Sequence, residues 1–174
     1  MWASLTKDEP CANIISECSS LECQKEIRPV YVLGVNHHTI QQKGFGCIEE
    51  TVQYNFFIKN IKCQHSECTG RRTNYTEVKS HVYIELDIKG SLTEKRRMRC
   101  KLNDISPTIN ILKQEYRLAG IIEYIRNHYI AYGKKVNGSW EKYNDISPSI
   151  LKCNKNNEIE PHAAIYVCTK NKDI

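Results

Sequence analysis

The sequence predicts an α+β fold dominated by strands and built around an antiparallel sheet. Three observations carry that expectation. Residues 81–88 place Val82, Ile84, Leu86 and Ile88 at every second position, the alternation of a half-buried strand. Short apolar stretches then follow in quick succession from residue 109 to residue 169, and connections this brief join antiparallel rather than parallel neighbours. Ten tyrosines, with many isoleucines, valines and threonines, supply side chains that suit a pleated surface.

Taken in chain order, residues 1–29 show neither alternation nor a helical stripe, apart from a short helical pattern near residues 14–22. They read as a poorly ordered or helical N-terminal arm that ends at Pro29. The folded domain is expected over 30–174. Residues 30–35 form a short apolar strand. Residues 51–62 carry Val52, Tyr54, Phe56 and Ile58 at period two and read as one amphipathic strand. Gly90 and Ser91 end the strand at 81–88. Strands are then expected at 109–112, 116–124, 128–134, 139–143 and 164–169. The pentapeptide Asn-Asp-Ile-Ser-Pro occurs at 103–107 and again at 144–148; two copies make no repeat array.

Bulk properties narrow the class further. A chain of 174 residues, 40% hydrophobic and 26% charged, can bury the core of one domain. No apolar run approaches the roughly 20 residues of a membrane-spanning helix, and residues 1–10 lack the apolar stretch of a signal peptide. An intracellular protein, cytoplasmic or nuclear, is expected, with no membrane partner. The nine cysteines are then reduced thiols by default, with metal binding or catalysis as the exceptions. The net charge of +5 is mild, but Lys95, Arg96, Arg97, Arg99 and Lys101 crowd together. No aromatic side chains interleave with them for base stacking, so nucleic acid is not the expected partner.

Chemistry concentrates between residues 116 and 145. His128 opens one predicted strand and Asn144-Asp145 closes the next. A four-residue loop at 135–138 would set His128 directly opposite Asp145. A two-residue Asn137-Gly138 turn would shift the register by two residues, roughly 7 Å. Either arrangement brings an imidazole to a carboxamide or carboxylate at one rim of a hairpin. A side-chain oxygen that accepts a ring N–H decides which ring nitrogen is left to act as a base.

The order Tyr116-x-Leu118-x-x-Ile121, His128-Tyr129-x-x-Tyr132 and Trp140-x-x-Tyr143-Asn144-Asp145 resembles the histidine box of the ubiquitin-specific proteases, papain-like cysteine deubiquitinases. The resemblance implies a sheet like their fingers and palm, with residues 30–174 as a partial domain of this type. It implies His128 as general base, Asn144 as its orienting partner and Asp145 as a supporting acceptor. Ubiquitin or a ubiquitinated protein would be the partner, and isopeptide hydrolysis the reaction if a nucleophile is present. A non-catalytic ubiquitin-binding or protein-interaction module is the alternative.

Two departures matter. Asn127 stands where the family has glycine. The family's cysteine box is also not found, and Cys11, followed by Ala12-Asn13, is a poorly matched nucleophile candidate. The stretch Cys63-Gln-His65-Ser-Glu-Cys68 resembles one cysteine pair of the fingers. Cys63, Cys68 and His65 are thus candidate ligands of a structural zinc, with Cys100 and His81 the downstream residues available to complete it. No cofactor is required for the chemistry.

Overall fold

The computed structural model describes residues 8–53, 58–90, 97–125, 127–144, 146–147 and 149–169. As expected, strands dominate and their ladders are antiparallel. Two sheets organise the chain.

The first sheet has four strands: β1 (Ala12–Cys18), β2 (Glu26–Val30), β5 (Ile58–Lys62) and β6 (Arg71–Val78), in the order β2-β1-β6-β5. Over residues 8–29 this corrects the reading of residues 1–29 as a poorly ordered or helical arm; residues 1–7 lie outside the described residues. Cys11, Ala12, Ile14 and Ile15 are buried, and β1 is a central strand paired with β2 on one side and β6 on the other. Adjacent Ile14 and Ile15 obscure the alternation, and the strand β6 that completes the burial lies about sixty positions downstream. Local pattern cannot reveal such a pairing.

Between β2 and β5 of this sheet the chain inserts β3 (Gly34–Val35), helix α1 (His37–Lys43), a single 3-10 turn at Phe45–Cys47, helix α2 (Ile48–Thr51) and β4 (Val52–Gln53). Helix α1 starts because Asn36 Oδ1 accepts the Thr39 N–H at 3.1 Å, an N-cap bond. It stops at Gly44, whose φ of 80° suits glycine. The single strand expected over 51–62 is therefore β4 and β5; its Tyr54 and Phe56 lie outside the described residues.

The second sheet contains β7 (His81–Glu85), β9 (Thr108–Ile111), β10 (Gln114–Ile125), β11 (His128–Lys134), β12 (Trp140–Tyr143), β13 (Leu151–Cys153) and β15 (Pro161–Cys168). Its order is β13-β12-β11-β10-β15-β7, with β9 also on β10. A small ladder joins β8 (Cys100–Lys101) to β14 (Glu158–Ile159). The long β10 is the spine, paired with β9, β11 and β15. At Gly120 a Cβ would come within 2.9 Å of the Tyr132 carbonyl oxygen, so only glycine allows the two strands this approach.

One core runs through both sheets and the helical segment. Leu33, Ile40, Phe45 and Ile48 pack with Val82, Ile84, Leu86, Ile109, Tyr116 and Tyr166. Tyr116 and Tyr166 keep their hydroxyls bonded, Tyr116 to the Lys79 carbonyl and Tyr166 to the Ser106 carbonyl, each at 2.7 Å. Among the described residues no helix is long and apolar enough to cross a membrane.

The basic stretch is locally balanced where it is described. Arg97 pairs with Asp87 and lies 5.1 Å over the Tyr124 ring, and Arg99 reaches Glu158 at 3.4 Å. Lys95 and Arg96 lie outside the described residues.

Candidate functional site

The β11–β12 hairpin settles into a register between the two expected ones. Lys134 pairs with Trp140, Tyr132 with Lys142 and Ala131 with Tyr143, while the Lys135 N–H bonds the Ser139 carbonyl at 2.9 Å. Gly138 takes a φ of 83° in the turn. A one-residue difference in register exchanges the faces of a strand. His128, Tyr132 and Lys142 therefore share a face, and Asn144 continues it.

The consequence is direct: His128 Nε2 and Asn144 Oδ1 are 2.6 Å apart. The Ile146 backbone N–H also donates to the same Oδ1, at 3.2 Å, which fixes the orientation of the carboxamide. Since Oδ1 can only accept, the bond requires the ring proton on Nε2. Asp145 lies outside the described residues.

Asn127, which precedes the histidine, has a φ of 61°. This left-handed backbone favours glycine, and asparagine is among the few other residues that enter it readily. Its Oδ1 also accepts the Tyr124 hydroxyl at 3.1 Å. The hairpin turn thus keeps the conformation a glycine would give it. Behind His128, Tyr132 donates to Glu123 Oε2 at 2.8 Å, and the Glu160 N–H donates to Glu123 Oε1 at 2.8 Å. That buried carboxylate ties β10, β11 and the segment before β15 together, and nothing in the sequence pattern marked it.

The thiols sit elsewhere. Cys11 is fully buried at the start of β1, and desolvation pushes its thiol up, only partly opposed by hydrogen bonding to the Tyr83 backbone. An attacking cysteine needs the reverse: access, and a helix N-terminus or cation that lowers its pKa. Cys47 is buried and donates to the Gly44 carbonyl at 3.0 Å. Burial pushes Cys100 up to about 12. Cys153 lies in β13, where Asn157 Nδ2 donates to it at 3.0 Å, and Cys168 ends β15.

The remaining four cysteines form a second feature. The sulfur atoms of Cys18, Cys23, Cys63 and Cys68 all lie within 4.8 Å of one another. Topology explains this: β1 and β6 are neighbours, so the β1–β2 loop with Cys23 and the β5–β6 loop with Cys68 fall at the same end of the first sheet. Contacts of 3.7 Å (Cys18–Cys68), 3.9 Å (Cys23–Cys63) and 3.3 Å (Cys23–Cys68) compare with the sulfur–sulfur edge of about 3.8 Å in a tetrahedron with zinc–sulfur bonds of about 2.3 Å.

Several donors face these sulfurs. The Ser20 N–H points to Cys18 at 3.5 Å and the Gly70 N–H to Cys68 at 3.3 Å. A Cβ at Gly70 would stand 2.7 Å from Cys18 Sγ, so glycine is what lets the backbone close round the cluster. The Arg72 guanidinium, followed by the His65 backbone N–H, holds Cys63 down to about 6, whereas a hydrogen bond shared with Cys68 pushes Cys23 up. Four soft ligands at these separations suit a thiolate-preferring ion such as zinc.

The metal candidates from the sequence are thus rearranged. Cys63 and Cys68 are in the cluster. His65 is outside it, half exposed, with Nε2 3.2 Å from Glu26 Oε1. The second pair lies upstream, at Cys18 and Cys23, instead of at Cys100 and His81, which belong to β8 and the edge strand β7. The signal was the shared spacing: Cys18-x4-Cys23 and Cys63-x4-Cys68 have the same gap.

No family model matches the sequence, and no curated protein matches it. Solved structures do resemble the fold. A structure of the Ubp8–Sgf11–Sgf73–Sus1 SAGA DUB module has a TM-score of 0.46 at 14% identity, covering 92% of this chain and 40% of that one. The SAGA Ubp8/Sgf11/Sus1/Sgf73 DUB module bound to ubiquitin aldehyde scores 0.44 at 16% identity, over 92% and 42%. The Saccharomyces cerevisiae PAN2 pseudoubiquitin-hydrolase scores 0.40 at 16% identity, over 92% and 54%. The chain spans about half the length of these proteins or less.

Proposed function

We propose that this chain is the histidine-bearing fingers-and-palm portion of a deubiquitinase-type cysteine peptidase domain, and that on its own it binds ubiquitin without cleaving it. The observation that carries the reading is the 2.6 Å contact between His128 Nε2 and Asn144 Oδ1, within a motif order that resembles the ubiquitin-specific proteases.

In that role His128 Nδ1 would take the proton of a cysteine thiol. The thiolate would attack the carbonyl carbon of the ubiquitin C-terminal glycine, and the imidazolium would return its proton to the departing amine. Water, deprotonated by the same nitrogen, would then release the acyl group. Asn144 would hold the ring in the tautomer this sequence needs.

The buried, raised thiol of Cys11 supports placing the nucleophile outside the described residues. The four-cysteine cluster supports a structural zinc at the tip of the fingers, whose part would be to fasten the two loops and not to react. Reduced thiols fit an intracellular setting, cytoplasmic or nuclear.

The test uses the full chain with two reagents: free ubiquitin, and ubiquitin carrying a thiol-reactive C-terminal warhead. Saturable, reversible binding of free ubiquitin without a covalent adduct is the expected result. An adduct abolished by Cys11→Ala would make the chain an enzyme by itself, and absence of any ubiquitin binding would overturn the reading altogether.

A further inference from the structure

Arg72, on β6, leaves only 8% of its side chain exposed. A guanidinium so placed is costly unless its donors and its charge are matched. Nη1 donates to Ser16 Oγ at 3.1 Å, and Nη2 donates to the Gln24 carbonyl at 3.5 Å and pairs with Glu26 Oε1 at 2.7 Å. Nε is directed at Cys63 Sγ, 3.5 Å away.

The two anionic neighbours are not equivalent. Glu26 is 59% exposed, so water screens its attraction to Arg72. Cys63 is 4% exposed, where a charge is felt more strongly. Four thiolates around a divalent cation carry a net charge of about −2, towards which the Ser20 and Gly70 N–H groups bring only partial positive charge.

We infer that Arg72 is a positioning residue of the four-cysteine metal centre, offsetting its negative charge through Cys63 and so setting how tightly the ion is held. This rests on the metal reading given above. Glu26 competes for the same guanidinium, and the His65 imidazole reaches the centre only through Glu26 and Arg72, as an outer neighbour and not a ligand.

The experiment compares the parent chain with Arg72→Met, Arg72→Lys and Glu26→Gln. Cobalt(II) uptake is followed by thiolate-to-cobalt absorption, and zinc affinity by competition with a chromophoric chelator. Arg72→Met is expected to weaken both ions 10- to 100-fold, the range seen for outer-shell partners. Arg72→Lys should lose less, because it keeps the charge without the fork. Glu26→Gln should tighten binding severalfold. A purely structural arginine would lower the urea midpoint of the metal-free chain and leave Glu26→Gln without effect on affinity.

Affinity of Arg72→Met within twofold of the parent, or no tightening in Glu26→Gln, overturns the inference. If Arg72→Met does not fold, the other two variants decide it. A parent chain that binds neither ion with its thiols reduced would instead overturn the metal centre itself.

Discussion

The imidazole of His128 and the carboxamide of Asn144 meet at 2.6 Å across 16 positions of sequence. Both belong to one hairpin, and its register decides which side chain meets the ring. Asn144 Oδ1 takes a second donor from the Ile146 backbone, so the acceptor is held from both sides. Replacing Asn144 by alanine removes both hydrogen bonds to its half-buried Oδ1, with an expected cost of about 1–3 kcal/mol. The sharper readout is the ring itself. Nitrogen NMR of His128 should report the Nε2–H tautomer in the parent and in Asn144→Asp, and a mixture of tautomers in Asn144→Ala. An unchanged tautomer in the alanine variant would remove the orienting role.

The turn before the histidine gives a second prediction. Asn127 already holds a φ of 61°, so Asn127→Gly should change stability by only a few tenths of a kcal/mol despite the lost bond to Tyr124. Asn127→Val forces a β-branched side chain into left-handed backbone, at a cost of about 1–2 kcal/mol. Urea midpoints at a common slope measure both.

Gly70 gives a third. Gly70→Ala sets a methyl group 2.7 Å from Cys18 Sγ and 3.2 Å from Cys68 Sγ, so the loop must move away from the cluster. Zinc retained after dialysis against a chelator should fall at least tenfold. Far-ultraviolet circular dichroism should stay unchanged, since the strands do not depend on that methyl-sized space.

Glu123 provides a fourth. Its two oxygens are taken by the Tyr132 hydroxyl and the Glu160 N–H. Glu123→Leu leaves both donors unpaired in the interior, and the expected loss is about 2–4 kcal/mol. Glu123→Gln keeps an acceptor for one of them and should lose less in thermal unfolding.

The fifth concerns alkaline pH. Burial raises Tyr83, Tyr116, Tyr132 and Tyr166 above the ordinary tyrosine range near 10, and the Glu123 carboxylate adds to the effect at Tyr132. A raised pKa means the folded state favours the neutral phenol. That contribution is complete below about pH 10, where the unfolded chain also keeps its protons, and it drains away as pH rises further. Absorbance near 295 nm should show these tyrosines ionising together with unfolding, above about pH 10. Stepwise ionisation while the near-ultraviolet dichroism stays native would contradict it.

Some elements could be read directly because their pattern is local. The strand expected at 128–134 is β11, residue for residue, and of the alternation at 81–88 only His81–Glu85 is strand β7, with Leu86 and Ile88 buried beyond its end. β1 was hidden because its burial depends on β6, and adjacent Ile14 and Ile15 break the period. The upstream cysteine pair was missed for the same reason. Cys18 and Cys68 touch at 3.7 Å across 50 positions, a proximity created only by the β1–β6 ladder.

Sequence alone determined that the chain would be strand-rich, that His128 would open β11, and that Asn144 would follow the next strand, because side-chain alternation and turn residues act over a few positions. Tertiary structure decided that the hairpin register would place Asn144 on the imidazole's face, that four cysteines from two loops would converge, and that Cys11 would be sealed in the core. Those outcomes depend on which distant strands pair and on what burial then does to each thiol, and neither quantity is written in a local pattern.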